Sequence, residues 1–100
     1  MNFNLLTPFD LIIKIADRAK QKRLSLNLTQ QSLSERSGVS YGVIKKFERT
    51  GKISIESLLK LALVLDALNE FDSLFSPKSL ESYITLDQLL KQKKRKRGRK

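Results

Sequence analysis

The chain contains no cysteine and no histidine. Without cysteine, disulfides, thiolate metal sites and thiol nucleophiles are excluded. Without histidine, the commonest general base and the commonest transition-metal ligand are gone. Acid is scarce as well, with ten Asp and Glu against twenty Lys and Arg, and the four glycines form no phosphate-cradling loop. No nucleophile–base pair or metal cluster is left to suggest catalysis, so the chain is expected not to be an enzyme and to need no cofactor or metal. Long apolar runs are also missing. The longest, Leu61 to Leu65, is far too short to span a bilayer. The N-terminus lacks the basic segment followed by an apolar one that marks a secretory leader, and a cytoplasmic location is expected.

What is present is a chain of 100 residues, 40% of them apolar, which fits one small soluble domain with a single core. The net charge of +10 is unevenly placed. The last ten residues, "KQKKRKRGRK", hold eight of the basic residues and no acid, leaving twelve basic against ten acidic residues in 1–90. A nearly neutral body therefore carries a polycationic tail. The division that follows is a compact domain over 1–76, an extension over 77–90 with a short amphipathic helix, and a disordered basic tail over 91–100.

The body reads as all-α with five helices. In "TPFD" at 7–10, a Thr cap, a Pro at the first helical position and an acid three residues after the cap mark a helix start. Phe9, Ile12, Ile15, Ala16 and Ala19 follow at helical spacing to about Arg23. Thr29 is placed to cap a second helix, "QQSLSERS", with Leu33 facing inward and Gly38 stopping it. A third helix starts after Ser40. "SIESLLKLALVLDAL" reads as a fourth, largely buried helix, and "NEFDSLF" as a short fifth, with Asn69 as cap and Phe71, Leu74 and Phe75 as its apolar side. Asp66, Glu70 and Asp72 fit the cap and surface of this end of the domain. Pro77 closes the compact part. No segment alternates persistently, so no sheet is expected beyond a short N-terminal strand at "NFNLL".

The third helix carries the chemistry. In "SGVSYGVIKKFERTG", residues 37–51, Ser40 is a good N-cap and Gly51 a good helix stop. Advancing roughly 100° per residue from Tyr41, the residues Tyr41, Lys45, Arg49, Gly42 and Lys46 fall within an arc of about 140°. Val43, Phe47 and Ile44 fall opposite, and Glu48 sits at the margin. The outer face is cationic and aromatic.

Two short helices joined by a Gly-containing turn, the second with a polar and basic outer face, are the elements of a helix-turn-helix. The stretch "LTQQSLSERSGVSYGVIKKFERTGKISIESLLKLALVL" resembles the helix-turn-helix domain of the phage-repressor type, the Cro/C1 or Xre family. The elements "LTQ", "GVS", "I..FE" and "LLKLALVL" stand at the family's separations, with Ser34 where the family often has alanine. The resemblance covers roughly 10–75 and implies a lambda-repressor-like fold. It also implies that Thr29 and Gln30 stand at the phosphate-contacting start of the second helix, Gln30 matching the phosphate-bonding glutamine. Ser40, Tyr41, Gly42 and Lys46 would face base edges, with Lys45 and Arg49 beside them, and Lys52 would meet a phosphate. Most of these are the residues that helical geometry alone gathers on one face. Lys45 or Lys46 could donate to guanine, Ser40 to a phosphate or a base, and Tyr41 could stack on a thymine methyl.

A domain this small makes few contacts with DNA, so a two-fold homodimer on a pseudo-palindromic operator is expected, in a cytoplasmic, nucleoid-associated protein. Leu68, Phe71, Leu74 and Phe75 are the candidate dimer surface, with "NFNLL" as the alternative. Beyond Pro77, "SLESYITLDQLLKQ" has Thr85 as a cap and Leu86, Leu89 and Leu90 at helical spacing, too short to be stable without docking. Together "LLTPFDL" and "TLDQLLKQKKRKRGRK" resemble HipB-type antitoxins, encoded beside HipA-type Ser/Thr kinase toxins. That resemblance implies a repressor that also holds a HipA-like kinase. Other readings of the same chain are a phage-like regulator without a toxin partner and a protein-interaction module. In the tail, Arg95, Arg97, Gly98 and Arg99 resemble an arm for an A/T-rich minor groove. They would equally suit an acidic groove on a kinase, or a solvated tail attracted to DNA without specificity.

Overall fold

The computed structural model describes residues 6–77, and within them the fold is five helices with no strand. They are α1 (Pro8–Ser25), α2 (Gln30–Ser37), α3 (Tyr41–Thr50), α4 (Ile55–Val64) and α5 (Leu68–Asp72). The expected strand at 2–6 lies outside the described residues except for Leu6, which is in no strand, and the extension helix and the basic tail lie outside them entirely.

Each of the first four helices begins on a side-chain cap. The Asp10 N–H donates to Thr7 Oγ1 at 3.0 Å and the Thr7 N–H to Asp10 Oδ2 at 3.3 Å, a complete capping box with Pro8 opening α1. Thr29, Ser40 and Ser54 accept in the same way from the N–H groups of Ser32, Val43 and Ser57. Each such cap removes an orphan donor and stabilises its helix by about 1 kcal/mol.

The helix bounds depart from expectation at α1, α4 and α5, the last spanning only Leu68–Asp72. Helix α1 runs to Ser25, two residues past the predicted end, and closes on Asn27 at φ 59°. The Leu28 N–H bonds to the Arg23 carbonyl at 3.0 Å and the Asn27 N–H to the Leu24 carbonyl at 2.9 Å. That is the paired closure of a Schellman motif, with Asn where glycine is commoner. Helix α4 closes identically, with Asp66 at φ 60°, Ala67 N–H to the Ala62 carbonyl at 2.8 Å and Asp66 N–H to the Leu63 carbonyl at 3.3 Å. The predicted fourth helix is therefore cut at Val64. Helix α5 starts at Leu68 without a side-chain cap, and Asn69 lies in its first turn rather than at its cap.

The core is small. Ala16, Leu28, Leu33, Val39, Ile44, Phe47, Leu61 and Leu65 form one buried cluster, with Ile15, Ala19, Ile53, Leu58 and Val64 packed against it. Helices α1 and α2 both pack on α3, α2 also on α4, and α4 on α5. Three expectations of burial fail. Helix α4 is not largely buried, since Ile55 and Leu63 are 68% and 64% exposed. Val43, expected opposite the outer face of α3, is 37% exposed, and only Ile44 and Phe47 of that side are buried. Of the apolar side expected for α5, Phe71 is half-buried, whereas Leu74 and Phe75 follow the helix and stand in solvent.

Candidate nucleic-acid interface

Helix α3 is held by its two buried residues, Ile44 and Phe47, and this fixes which side turns outward. Tyr41, Gly42, Lys45, Lys46 and Arg49 are all exposed, as are Ser40 before the helix and Lys52 after it. Lys45, Lys46 and Arg49 make no ion pair among the described residues. The Lys45 ammonium lies 4.9 Å from the Tyr41 ring centroid, a cation–π contact that at an exposed site contributes about 0.5–1 kcal/mol and orients both side chains. The Ser40 hydroxyl, as N-cap, accepts from the Val43 N–H at 3.2 Å and keeps its own O–H to donate outward.

Two shallow depressions mark the margins of this face. One is lined by Arg23, Leu24, Leu28, Thr29, Gln30, Gln31 and Tyr41, so it brings Thr29 and Gln30 beside the first residue of α3. The other is lined by Val43, Lys46, Lys52, Ile53, Ser54 and Ser57, joining Lys46 to Lys52 at the opposite margin. Of the expected site residues, all nine between Thr29 and Lys52 thus lie on α3 or next to it. Arg95, Arg97, Gly98 and Arg99 lie outside the described residues.

Sequence reasoning missed the network beneath. Glu48, expected at the solvent margin, has a side chain only 6% exposed. The Arg23 guanidinium meets it in a fork, Nε to Oε2 at 2.7 Å and Nη2 to Oε1 at 2.9 Å, while Nη1 donates to the Leu28 carbonyl at 2.8 Å. Gln30 Nε2 donates to Glu48 Oε1 at 2.8 Å. Burial alone would raise the Glu48 carboxyl. The bonds from Arg23 and Gln30 and the charges of Arg23 and Lys20 outweigh it and hold that carboxyl below its ordinary range. One signal for Arg23 was available, since it follows Ala16 and Ala19 on their inward spacing. Nothing in the sequence paired it with a residue 25 positions away.

A helix-turn-helix family model matches residues 20–70, half of the chain, from the end of α1 into α5. The chain belongs to the helix-turn-helix family of the Cro/C1 type. This helix-turn-helix domain is a DNA-binding regulatory fold, with α2 and α3 as its two-helix unit. Comparison with curated proteins returns no match for the chain. Among the described residues no helix is long and apolar enough to cross a membrane, and no group of three or more acidic residues is placed to hold a metal ion.

Proposed function

We propose that the chain is a sequence-specific transcriptional repressor that inserts α3 into the DNA major groove. The observation that carries this reading is the outer face of α3, where Tyr41, Gly42, Lys45, Lys46 and Arg49 are exposed and free of any acid. A major groove about 12 Å wide admits one α-helix. With α3 in it, the depression holding Thr29 and Gln30 faces one backbone, and the depression holding Lys46 and Lys52 faces the other. Ser40, Tyr41, Gly42 and Lys46 then meet base edges, and Gln30 and Lys52 meet phosphates. A homodimer places two such helices on a pseudo-palindrome with half-sites about one helical turn apart.

The finer reading is that this repressor is a HipB-like antitoxin that represses its own operon and binds a HipA-type Ser/Thr kinase. Its support is the sequence of the two ends, "LLTPFDL" and "TLDQLLKQKKRKRGRK". Two experiments test the pair. Footprinting on the DNA upstream of the gene should show two protected half-sites with wild type and none with the double variant Lys45→Glu/Lys46→Glu, at equal thermal stability. Protection that survives the double variant removes α3 as the reading element. A nuclease-treated pull-down from the native host should recover a kinase in near-stoichiometric amount. Recovery of the chain alone sinks the antitoxin reading and leaves a self-sufficient repressor.

A further inference from the structure

Away from α3, helices α1, α4 and α5 leave an open groove of about 210 Å³. Ile15, Ala19, Leu58, Leu61 and Phe71 are among its apolar walls, and Arg18, Lys22 and Glu70 stand with them. Arg18 and Lys22 are four residues apart on α1 and so project side by side. Neither makes an ion pair among the described residues. No residue of α3 lines the groove, so whatever fills it leaves the DNA face open.

We infer that this groove is the seat of the chain's own segment 79–90, "SLESYITLDQLL", with Leu86, Leu89 and Leu90 entering between α1, α4 and α5. Connectivity is the first argument. Phe71 of α5 forms part of the groove, and the segment begins only eight residues later, so its start is held within about 28 Å of that wall. A tether this short gives an effective concentration in the millimolar range, which populates even a weak contact. Shape is the second. Leu86, Leu89 and Leu90 are spaced i, i+3, i+4 and make one apolar ridge when helical. A ridge so short gains its stability from the surface it meets rather than from its own hydrogen bonds. Charge is the third. The segment's two acids, Glu81 and Asp87, answer Arg18 and Lys22, and the two basic residues that flank it, Lys78 and Lys91, lie outside it at either end, Lys91 beginning the basic tail beyond the ridge. A second copy of the chain offers the same segment but pays for association that the tether avoids.

The absence of cysteine makes a direct test clean. Ser82→Cys in the full chain accepts a single spin label, and paramagnetic broadening is read on the backbone amides of the isotope-labelled protein, without DNA. Loss of the Ile15, Leu61 and Phe71 signals, with the Tyr41 and Lys45 signals retained, is the expected result. Adding Leu86→Ser/Leu90→Ser to the labelled chain should bring the lost signals back. Unaltered groove signals in the labelled chain overturn the inference, as does broadening that survives the two serines. Broadening that appears equally when spin-labelled and isotope-labelled molecules are separate chains in one sample also overturns it, in favour of a second copy. None of these outcomes touches the reading of α3, which is tested on DNA.

Discussion

Gly42 is the residue whose presence the fold itself does not explain. It stands at the second position of α3 with ordinary helical backbone, and a Cβ built on it would meet nothing within 4 Å. Glycine in a helix costs about 0.5–1 kcal/mol relative to alanine. Gly42→Ala should therefore stabilise the protein. For a domain of this size, 1 kcal/mol corresponds to about 4–8 °C in Tm, so a rise of roughly 2–8 °C is expected once the position near the helix start is allowed for. Nothing inside the chain requires a glycine there. If α3 enters the major groove as proposed, the expected reason is the edge of a base pair or a sugar-phosphate strand approaching closer than a methyl group allows; the alternative is a loose fit that the helix tolerates.

The same substitution is thus expected to weaken operator binding at least tenfold, about 1.4 kcal/mol, while raising Tm. The assay is paired: thermal unfolding on the free protein, and fluorescence anisotropy on the operator found by footprinting, at fixed salt because ionic strength shifts all such affinities together. A more stable variant that binds as well as wild type, or better, refutes the steric reasoning and makes Gly42 a tolerated weakness. A less stable variant refutes the reading of free space around it.

Other side chains give equally specific expectations. Lys52→Ala should weaken DNA binding and lower the slope of log affinity against log salt by about 0.9 for the phosphate it neutralises, whereas Lys46→Ala should weaken binding and relax the preference for operator over altered sequence, both measured by titration at several salt concentrations. Glu48→Gln leaves the Arg23 guanidinium buried without its counter-charge and should cost about 3–5 kcal/mol in denaturant unfolding. In wild type the Glu48 carboxyl titrates lower folded than unfolded, where its value is about 4.3. Its stabilisation is therefore full above that value and lost as pH falls through the folded one. Unfolding followed by circular dichroism across that acid window should show a drop in wild type that is shallower in Glu48→Gln. Gly51→Ala should cost more than 1 kcal/mol, because residue 51 holds φ 85° and a Cβ there runs into Ile12. The fraction that stays folded should bind DNA normally.

Most of the secondary structure was legible because its signals are local. Thr7, Pro8 and Asp10 announce α1 within four residues, and Thr29, Ser40, Gly38 and Gly51 bound α2 and α3 in the same way. The break between α4 and α5 was not legible, because "LALVLDAL" keeps apolar residues at helical spacing straight through it. What stops α4 is Asp66 entering the left-handed region, and an aspartate in a leucine-rich run carries no warning of that. Asn27 hides the end of α1 similarly. Burial was harder still. Ile55 and Leu63 look like core in a leucine-rich helix, yet they face solvent because α2 and α5 cover other sides of α4. The outward face of α3 was legible because helical geometry alone gathers Tyr41, Lys45, Lys46 and Arg49. The partners of Glu48 were not, since Arg23 and Gln30 arrive from two other helices.

That hidden network bears directly on the charge of the outer face. Glu48 is the only acid in α3, and on the surface it would stand one turn from Lys45 and repel any phosphate that Lys45 attracts. Buried against Arg23, its charge is neutralised within the fold, and Lys45, Lys46 and Arg49 are left unopposed. The pair also ties the end of α1 to α3, while the Gln30 amide ties the first residue of α2 to the same carboxylate. The fork geometry of Arg23 matters here, because a lysine could supply the charge but not the two parallel bonds and the third to the Leu28 carbonyl. Besides the apolar packing of Leu33, Ile44 and Phe47, the relative setting of α2 and α3 is thus tied by one largely covered carboxylate. Loss of Glu48 should accordingly disturb the fit of both helices to DNA even in molecules that remain folded, which a simple loss of stability would not do.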